Sequence, residues 1–223
     1  MIPLNSSDAR LAESGDSRTY EFQATVSDPF SDTNLQGVFT ETVGLVDTFD
    51  SEGALLEINT LIDTPDILTT LTETYFQDPA GAIALISDDQ GCELTVEDFN
   101  AGSLPEEFPG IYFIGASNSA RFQLVCPTPS ASRGNYRGQV DYTVLNLEFV
   151  STPLGDFEAY RMSFRASFDD TAVLGTDFTE EGLRWVVPEI GVVRERLTYT
   201  DNAGDGATTI VSERALADTN IAY

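Results

Sequence analysis

Apolar and polar residues alternate with a period of two over much of this chain, and no other feature restricts its possible folds as strongly. The clearest example is the run 160–168, in which apolar side chains at even positions alternate with arginine or serine at odd positions. Successive side chains of a β-strand point to opposite faces, so this run predicts a strand with one buried and one solvated face. No run shows a convincing helical periodicity. The sequence therefore predicts an all-β protein with little helix.

About a dozen strand-like runs follow one another, separated by turns rich in glycine, aspartate and proline. The loop 201–206, for example, separates the runs 192–200 and 208–216 and predicts a hairpin. Consecutive strands joined by short turns pair as an antiparallel meander, and curvature limits the edges that such a sheet exposes. We therefore expect an antiparallel meander that forms a strongly curved sheet, a half-open barrel or a sandwich.

The domain organisation follows from the same patterns. Residues 1–18 are polar and show no periodicity, which predicts a flexible N-terminal segment. Residues 19–223 are expected to form a single β domain, since all-β domains of this length are common. The loop 127–138, rich in serine, proline, glycine and arginine, is the candidate for an internal boundary.

Two strands carry local signals of irregular backbone. The apolar positions are even in residues 140–144 and odd in 145–149, so a β-bulge is expected near Val144 and Leu145. Pro188 can end the strand that contains Trp185, because proline has no N–H to donate to a neighbouring strand. Gly191 then permits a backbone conformation that is closed to other residues. We expect Trp185 in the core, with an exposed stacking platform as the alternative.

The net charge of the chain excludes several classes of binding partner, and its lack of histidine and lysine excludes most kinds of catalytic site. Acidic residues outnumber basic ones by 37 to 11, for a net charge of −26, and the basic residues are all arginine. Such a charge repels nucleic acids and anionic lipids. A chain without histidine or lysine has no Ser-His-Asp triad, no Cys-His dyad, no His-ligated zinc and no Schiff-base chemistry. We expect no enzyme and no cofactor, and the acidity reflects adaptation to a saline environment or genome composition.

Two groups of residues are candidates for ligand binding. Asp201, Asn202 and Asp205 offer oxygen ligands for calcium, but their spacing departs from the EF-hand pattern, and ordinary turn chemistry explains these residues as well. Tyr160, Phe164 and Phe168 share one face of a strand and line an apolar ligand cavity if the sheet is half closed. Core packing is the alternative for this aromatic face.

Four segments together resemble a group of bacterial exported proteins and lipoproteins that fold as curved β-sheets or half-barrels. These segments are residues 19–22, 74–83, 152–161 and 185–194. The third is similar to the group's turn with proline, glycine and phenylalanine, and the fourth to its strand pair with Trp, Pro, Gly and Val, except that Arg194 stands where the group has lysine. The resemblance implies an exported β-protein and supplies no catalytic residues. The chain starts with neither a signal peptide nor a lipobox cysteine, and we expect a mature form.

The functional expectation is a non-enzymatic exported β-protein that acts as a binding or structural component of the cell envelope or extracellular space. Its ligand site is expected on the concave face of the sheet, for an apolar ligand. One alternative is a subunit of an extracellular filament or other assembly, which self-associates by exchange of a strand or of the N-terminal segment. The other alternative is a carboxylate-only hydrolase of the glycosidase type. The sequence contains no run of 18 apolar residues, so we expect no insertion into a membrane.

Cys92 and Cys126 are the two cysteines of the chain and are predicted to form a disulfide bond, as in many exported proteins. The bridge closes a loop of about 35 residues and stabilises the fold by roughly 3 to 4 kcal/mol in the chain-entropy model. Mass spectrometry without reductant should find the two cysteine peptides linked. Two freely alkylated thiols in the native protein would contradict the prediction.

Overall fold

A computed structural model describes residues 7–48, 53–87, 92–95, 106–125, 136–170, 177–202 and 206–222. These residues contain no helix, so none is long and apolar enough to cross a membrane. The all-β prediction is confirmed. The described strands are β1 (Ser7–Asp8), β2 (Ser17–Ser27), β3 (Asp32–Thr48), β4 (Ala54–Asp63), β5 (Leu68–Gln77), β6 (Ile83–Ser87), β7 (Glu93–Thr95), β8 (Glu106–Phe108), β9 (Ile111–Tyr112), β10 (Ser117–Val125), β11 (Tyr136–Thr152), β12 (Gly155–Asp170), β13 (Asp177–Val187), β14 (Gly191–Asp201) and β15 (Thr208–Thr219).

Thirteen of these strands form one antiparallel sheet in the order β5-β4-β3-β2-β15-β14-β13-β12-β11-β10-β7-β6-β8. Neighbours in the sheet are mostly neighbours in sequence, as expected for a meander. One pair of neighbours in the sheet is far apart in sequence: β2 pairs with β15, which joins the N-terminal hairpins to the C-terminal strand. Strands β1 and β9 form a separate two-stranded pair.

The sheet curves strongly, and its two ends meet at β6. This strand pairs with β5 and, on its other side, with β8. Its link to β7 is a single residue pair, Ser87 with Glu93. The sheet is therefore not closed by a continuous ladder. The prediction of a strongly curved antiparallel meander is confirmed.

One face of the curved sheet carries the core, and we call it the inner face. Directly opposed residues of antiparallel strands share a face, which places Phe39, Tyr20 and Leu216 together across β3, β2 and β15. Leu56, Met162 and Ile190 are also fully buried. The alternation in the sequence thus corresponds to an inner apolar face and an outer solvated face.

The local backbone predictions are confirmed where the structure describes them. The register of β11 against β12 shifts between Val144 and Asn146, which is the expected bulge. Beyond it, the tip of the β11–β12 hairpin bends towards β15, and the Leu154 amide donates a hydrogen bond of 3.1 Å to the Leu216 carbonyl. Strands β14 and β15 pair as a hairpin up to Asp201 and Thr208.

The N-terminal segment makes defined contacts with the sheet. Residues 7–18 of the expected flexible segment 1–18 run along the sheet in defined contacts, and β2 already begins at Ser17. The amide of Ala9 donates to Gly110 O at 2.8 Å, and the amide of Ala12 donates to Gln77 Oε1 at 2.9 Å. Arg10 forms an ion pair with the buried side chain of Asp16. Backbone hydrogen bonds hold this segment in place, and such contacts leave no periodic pattern of apolar side chains in the sequence.

Most of the loop 127–138, the candidate boundary, lies outside the described residues. Its flanking strands β10 and β11 are direct neighbours in the sheet, with Ser117 opposite Thr143 and Leu124 opposite Tyr136. The chain on both sides of the loop therefore belongs to the same sheet.

Gly191 begins β14 with a backbone φ of +101°, and an added Cβ would lie 3.3 Å from the Arg18 guanidinium carbon. We expect Gly191→Ala to lower the free energy of unfolding by roughly 1 to 2 kcal/mol, because L-residues rarely adopt this conformation. Gly44→Ala is the matched control, since its added Cβ makes only ordinary contacts at 3.6 Å or more. Urea midpoints compare the two variants, and equal midpoints would contradict the prediction.

Candidate ligand-binding site

Seven charged side chains of the inner face form a connected group, which we call the ion cluster. They come from β2, β3, β8, β13, β14 and β15. Each member lies within 4.0 Å of at least one oppositely charged member. The members are Arg18, Glu41, Glu107, Glu180, Arg184, Glu195 and Arg214.

Glu195 lies at the centre of the ion cluster, between two arginines. Arg184 Nε donates to Glu195 Oε2 at 2.8 Å, and Arg214 Nη2 donates to the same oxygen at 3.2 Å. Arg214 Nε lies 2.7 Å from Glu195 Oε1. Glu195 is 6% exposed and Arg184 is 5% exposed. Burial alone would raise the pKa of Glu195, but Arg214 and Arg184 together hold it below its ordinary value.

Glu41 extends the ion cluster towards the N-terminal strands. It accepts hydrogen bonds from Arg214 Nη1 at 3.1 Å and from Arg18 Nη1 at 3.2 Å. The Tyr20 hydroxyl donates to Val192 O at 3.0 Å and lies 3.4 Å from Glu41 Oε2. Burial, with the nearby Glu41 charge, raises the pKa of Tyr20 well above its ordinary value, so this hydroxyl stays neutral.

Aromatic rings cover the guanidinium groups of the ion cluster. The Arg184 guanidinium carbon lies 3.7 Å from the ring centroid of Phe164 and 4.9 Å from that of Phe108. The Arg214 guanidinium carbon lies 4.8 Å from the Phe39 centroid. Flat, weakly hydrated guanidinium groups stack well on aromatic faces, which makes arginine the cation suited to such an interior.

Glu180 occupies the least satisfied position in the ion cluster. Its closest cation is Arg184, whose Nη2 lies 3.9 Å from Glu180 Oε1. Within the described part of the chain, its carboxyl accepts no hydrogen bond. The pKa of Glu180 is raised to about 7, because burial and the nearby charges of Glu195 and Glu107 outweigh the lowering effect of Arg184. The side chain is 33% exposed and borders an open space on the inner face.

That space is a cleft of about 320 Å³ on the inner face, between β2–β4 and β13–β15. Its lining combines apolar side chains, among them Phe22, Ile62 and Leu197, with members of the ion cluster. The full lining is Phe22, Phe39, Thr60, Ile62, Glu180, Glu195, Leu197, Ser212, Glu213 and Arg214. The concave face predicted to bind a ligand thus contains a cleft with both apolar and charged walls.

Two further cavities lie nearby. A larger groove of about 620 Å³ is lined largely by polar side chains, including Thr25, Asn34 and Arg196. A small cavity of about 70 Å³ lies beneath the N-terminal segment, between Arg10, Gln77 and Gly191. Among these three, the 320 Å³ cleft is the one lined by Glu180, the carboxyl of the ion cluster with the longest ion pair.

The aromatic residues predicted from the sequence pack beside this cleft and do not line it. Tyr160 lies 5.5 Å from the Tyr112 ring, Phe164 lies beneath Arg184, and Phe168 stacks at 4.4 Å on Phe178. All three point to the inner face, as the alternation indicates. Their neighbours fill the space around them, so a ligand contact at these rings stays a prediction.

The calcium candidates lie in the β14–β15 hairpin. Asp201 and Asn202 are described, and the Asn202 amide donates to Asp177 O at 2.9 Å, whereas Asp205 lies outside the described residues. The described residues hold no group of three side chains suited to a metal ion. The site at Asp201, Asn202 and Asp205 therefore stays a hypothesis.

The remaining predicted side chains have defined surroundings. Cys92 is buried against Phe122 and carries no free thiol, while Cys126 lies outside the described residues, so the pairing of the two stays a prediction. Trp185 is partly buried and donates a hydrogen bond to Glu148 at 2.7 Å. Its ring centroid lies 5.7 Å from the Arg194 guanidinium carbon. Trp185 therefore packs at the margin of the core and retains some exposure.

Sequence reasoning missed the ion cluster, although the sequence carries a signal for it. Glu195 lies in phase with the apolar residues Val193 and Leu197, and Arg214 lies in phase with Leu216. A charged residue in the apolar phase of a strand is placed on the buried face. In β13 the signal misleads, because Leu183, Trp185 and Val187 appear to be the inner phase, whereas the structure buries Arg184 and Val186.

Comparison with known proteins shows the fold. No protein-family model and no curated protein matches the chain. A predicted lipoprotein from Parabacteroides distasonis superposes with a TM-score of 0.53 at 14% identity, over 94% of this chain and 97% of that one. A predicted exported protein with a YmcC-like fold from Bacteroides fragilis gives a TM-score of 0.51 at 12% identity, over 96% and 99%. The resemblance to exported proteins and lipoproteins of curved-sheet type is confirmed at the level of the fold.

Glu180→Gln should change how stability depends on pH. The pKa of Glu180 is about 7 in the folded protein, above its ordinary value of 4.5. Between these values the folded state binds more protons than the unfolded state, so this group lowers the free energy of unfolding as the pH rises. Glutamine does not titrate, so the free energy of unfolding of the variant does not fall in this way. Its urea midpoint, relative to the parent, should therefore rise between about pH 4.5 and about pH 8.

Glu181→Gln is the control, since Glu181 lies on the same strand but faces outward, 3.9 Å from the exposed Arg165. Its midpoint relative to the parent should change little over the same range. A pH-independent difference for Glu180→Gln would show that the carboxyl is not held protonated by the fold.

Proposed function

We propose that this protein is an exported, non-enzymatic binding protein whose ligand occupies the 320 Å³ cleft on the inner face. The observation that carries the proposal is the combination of an apolar wall with the incompletely paired Glu180 carboxyl in one cleft. Small-molecule sites are typically concave, largely apolar and supplied with a few polar groups, with volumes of roughly 300 to 1,000 Å³. The cleft agrees with each of these properties.

Export is supported by the names of the two similar structures, one a predicted lipoprotein and the other a predicted exported protein. The composition agrees with this, because an acidic chain with one pair of cysteines suits an oxidising compartment. A place in the cell envelope or the extracellular space follows from the same argument.

The absence of enzymatic activity is argued from the carboxylates of the cleft. A glycosidase-type reaction needs one carboxylic acid and a second carboxylate that is free to act as nucleophile or base. Glu180 has the raised pKa of an acid. Glu195, the buried carboxylate beside it, has both oxygens engaged by Arg184 and Arg214. It is therefore held as a structural anion, and Glu213, the third carboxylate of the lining, is ion-paired with Arg194, so neither is free to act as the second reactive group.

An assembly subunit is the second candidate function. Leu145, Leu147 and Phe149 form an exposed apolar stripe on the outer part of β11, and Phe149 is 79% exposed. Apolar stripes of this kind favour association between proteins. The N-terminal segment, in contrast, is held by its own chain, which argues against its exchange.

Filling the cleft should abolish ligand binding. Of the three cavities described above, Thr60 lines the cleft and Thr25 lines the polar groove, so Thr60→Phe and Thr25→Phe are matched variants. We expect a screen of small aromatic and aliphatic compounds by ligand-observed NMR to find binders of the parent. These should be lost in Thr60→Phe and kept in Thr25→Phe. Compounds that bind the parent and Thr60→Phe but not Thr25→Phe would place the binding site in the groove and refute the proposal.

A further inference from the structure

The charges of the ion cluster do not balance. Three arginines, Arg18, Arg184 and Arg214, face the four carboxyl groups of Glu41, Glu107, Glu180 and Glu195, which leaves one negative charge in excess when all are ionised. Among the described residues, Glu107 and Glu180 each have a single cation, Arg184, and the ion pair of Glu180 is the longer one, at 3.9 Å against 3.4 Å. The carboxyl with the weakest ion pair is thus the one that borders the cleft.

The same carboxyl has unused capacity as a hydrogen-bond acceptor. An ionised carboxylate can accept several hydrogen bonds, and within the described residues Glu180 accepts none. The hydroxyl groups of Thr60 and Ser212 line the same cleft and offer further acceptor oxygens. Leaving a partly buried carboxylate without donors costs free energy, so the site favours a ligand that supplies donors and positive charge.

The rest of the cleft selects the body of the ligand. Phe22, Ile62 and Leu197 provide apolar contact beside the charged side chains of the lining. An anionic head group would meet Glu180, Glu195 and Glu213, while Arg184 and Arg214 are already engaged by carboxylates. A neutral head group would leave the excess charge without compensation. The net charge of −26 also draws cations towards the protein.

We propose that the cleft binds an amphipathic cation, an apolar body that carries a primary ammonium group, with the ammonium nitrogen beside the Glu180 carboxyl. This inference rests on the proposed function, because it names the ligand class of the same cleft. The ammonium group donates three hydrogen bonds, to Glu180 and to the neighbouring hydroxyl oxygens. Its charge balances the ion cluster with Glu180 ionised.

Binding is expected to depend on pH through Glu180. The charged groups that face Glu180 are Arg184 on its own strand, Glu195 from β14, Arg214 from β15 and Glu107 from β8. Because the pKa of Glu180 is about 7, the ammonium ligand competes with a proton at lower pH. A ligand ammonium group, like that of lysine, stays charged to about pH 9. Affinity for the cation should therefore rise between about pH 5.5 and about pH 8.

The experiment compares three probes with one apolar body by isothermal titration calorimetry: 2-phenylethylammonium, 2-phenylethanol and 3-phenylpropanoate. We expect the ammonium probe to bind the parent at least about tenfold more tightly than either of the others at about pH 8. Glu180→Gln should lower its affinity at least about tenfold and remove its pH dependence. Glu181→Gln, on the outer face of the same strand, should leave both unchanged.

The outcomes separate this inference from the proposed function. If the alcohol binds as tightly as the ammonium probe, or if Glu180→Gln keeps the affinity and pH dependence, the cation assignment is wrong. If Thr60→Phe then abolishes the binding of 2-phenylethanol, a neutral ligand still occupies the cleft. If none of the probes binds the folded parent, the assignment is likewise overturned, and the proposed function is decided by the wider compound screen. Circular dichroism and urea midpoints establish that each variant is folded.

Discussion

The ion pairs of Glu195 with Arg184 and Arg214 are the interaction on which the inner face depends. These three residues are direct cross-strand partners in β13, β14 and β15. Burying one charge without its partners costs several kcal/mol, roughly 3 to 5 when a partner is removed. A slip of any of these strands by one residue would move its charge to the other face and leave the rest unpaired. The trio therefore specifies the register of the three strands.

The cleft follows from this arrangement. Charged side chains are buried only beside opposite charges, so the inner face is divided between apolar clusters and the ion cluster. The pairing of β2 with β15 brings Glu41 and Arg18 from the N-terminal hairpins to the same region. The ion cluster is thereby built from both ends of the chain. Glu180 has the longest ion pair of the ion cluster, at 3.9 Å, and it borders the cleft.

The lack of lysine and histidine has a structural counterpart in this interior. Guanidinium groups keep their charge, engage carboxylates through several N–H groups and stack on rings, and Arg184 and Arg214 do all three. A lysine ammonium in the same positions would make fewer directed contacts and lose its charge more readily on burial. The use of arginine as the only basic residue thus suits a buried ion cluster, both if it reflects salt adaptation and if it reflects genome composition.

The sequence by itself determined the class of fold, the curved meander, the bulge near Val144 and the turn at Gly191, because each of these is encoded in a local pattern of a few residues. The ordering of residues 7–18 and the ion cluster were decided only by tertiary structure. Backbone pairing with β9 leaves no periodicity in the N-terminal segment. The partners of Glu195 lie on the two neighbouring strands. Arg214, a partner of Glu41, lies 173 positions away in the sequence, and the approach of these two depends on the pairing of β2 with β15. A strand pattern reports which face a charge occupies, but not which opposite charge will meet it there.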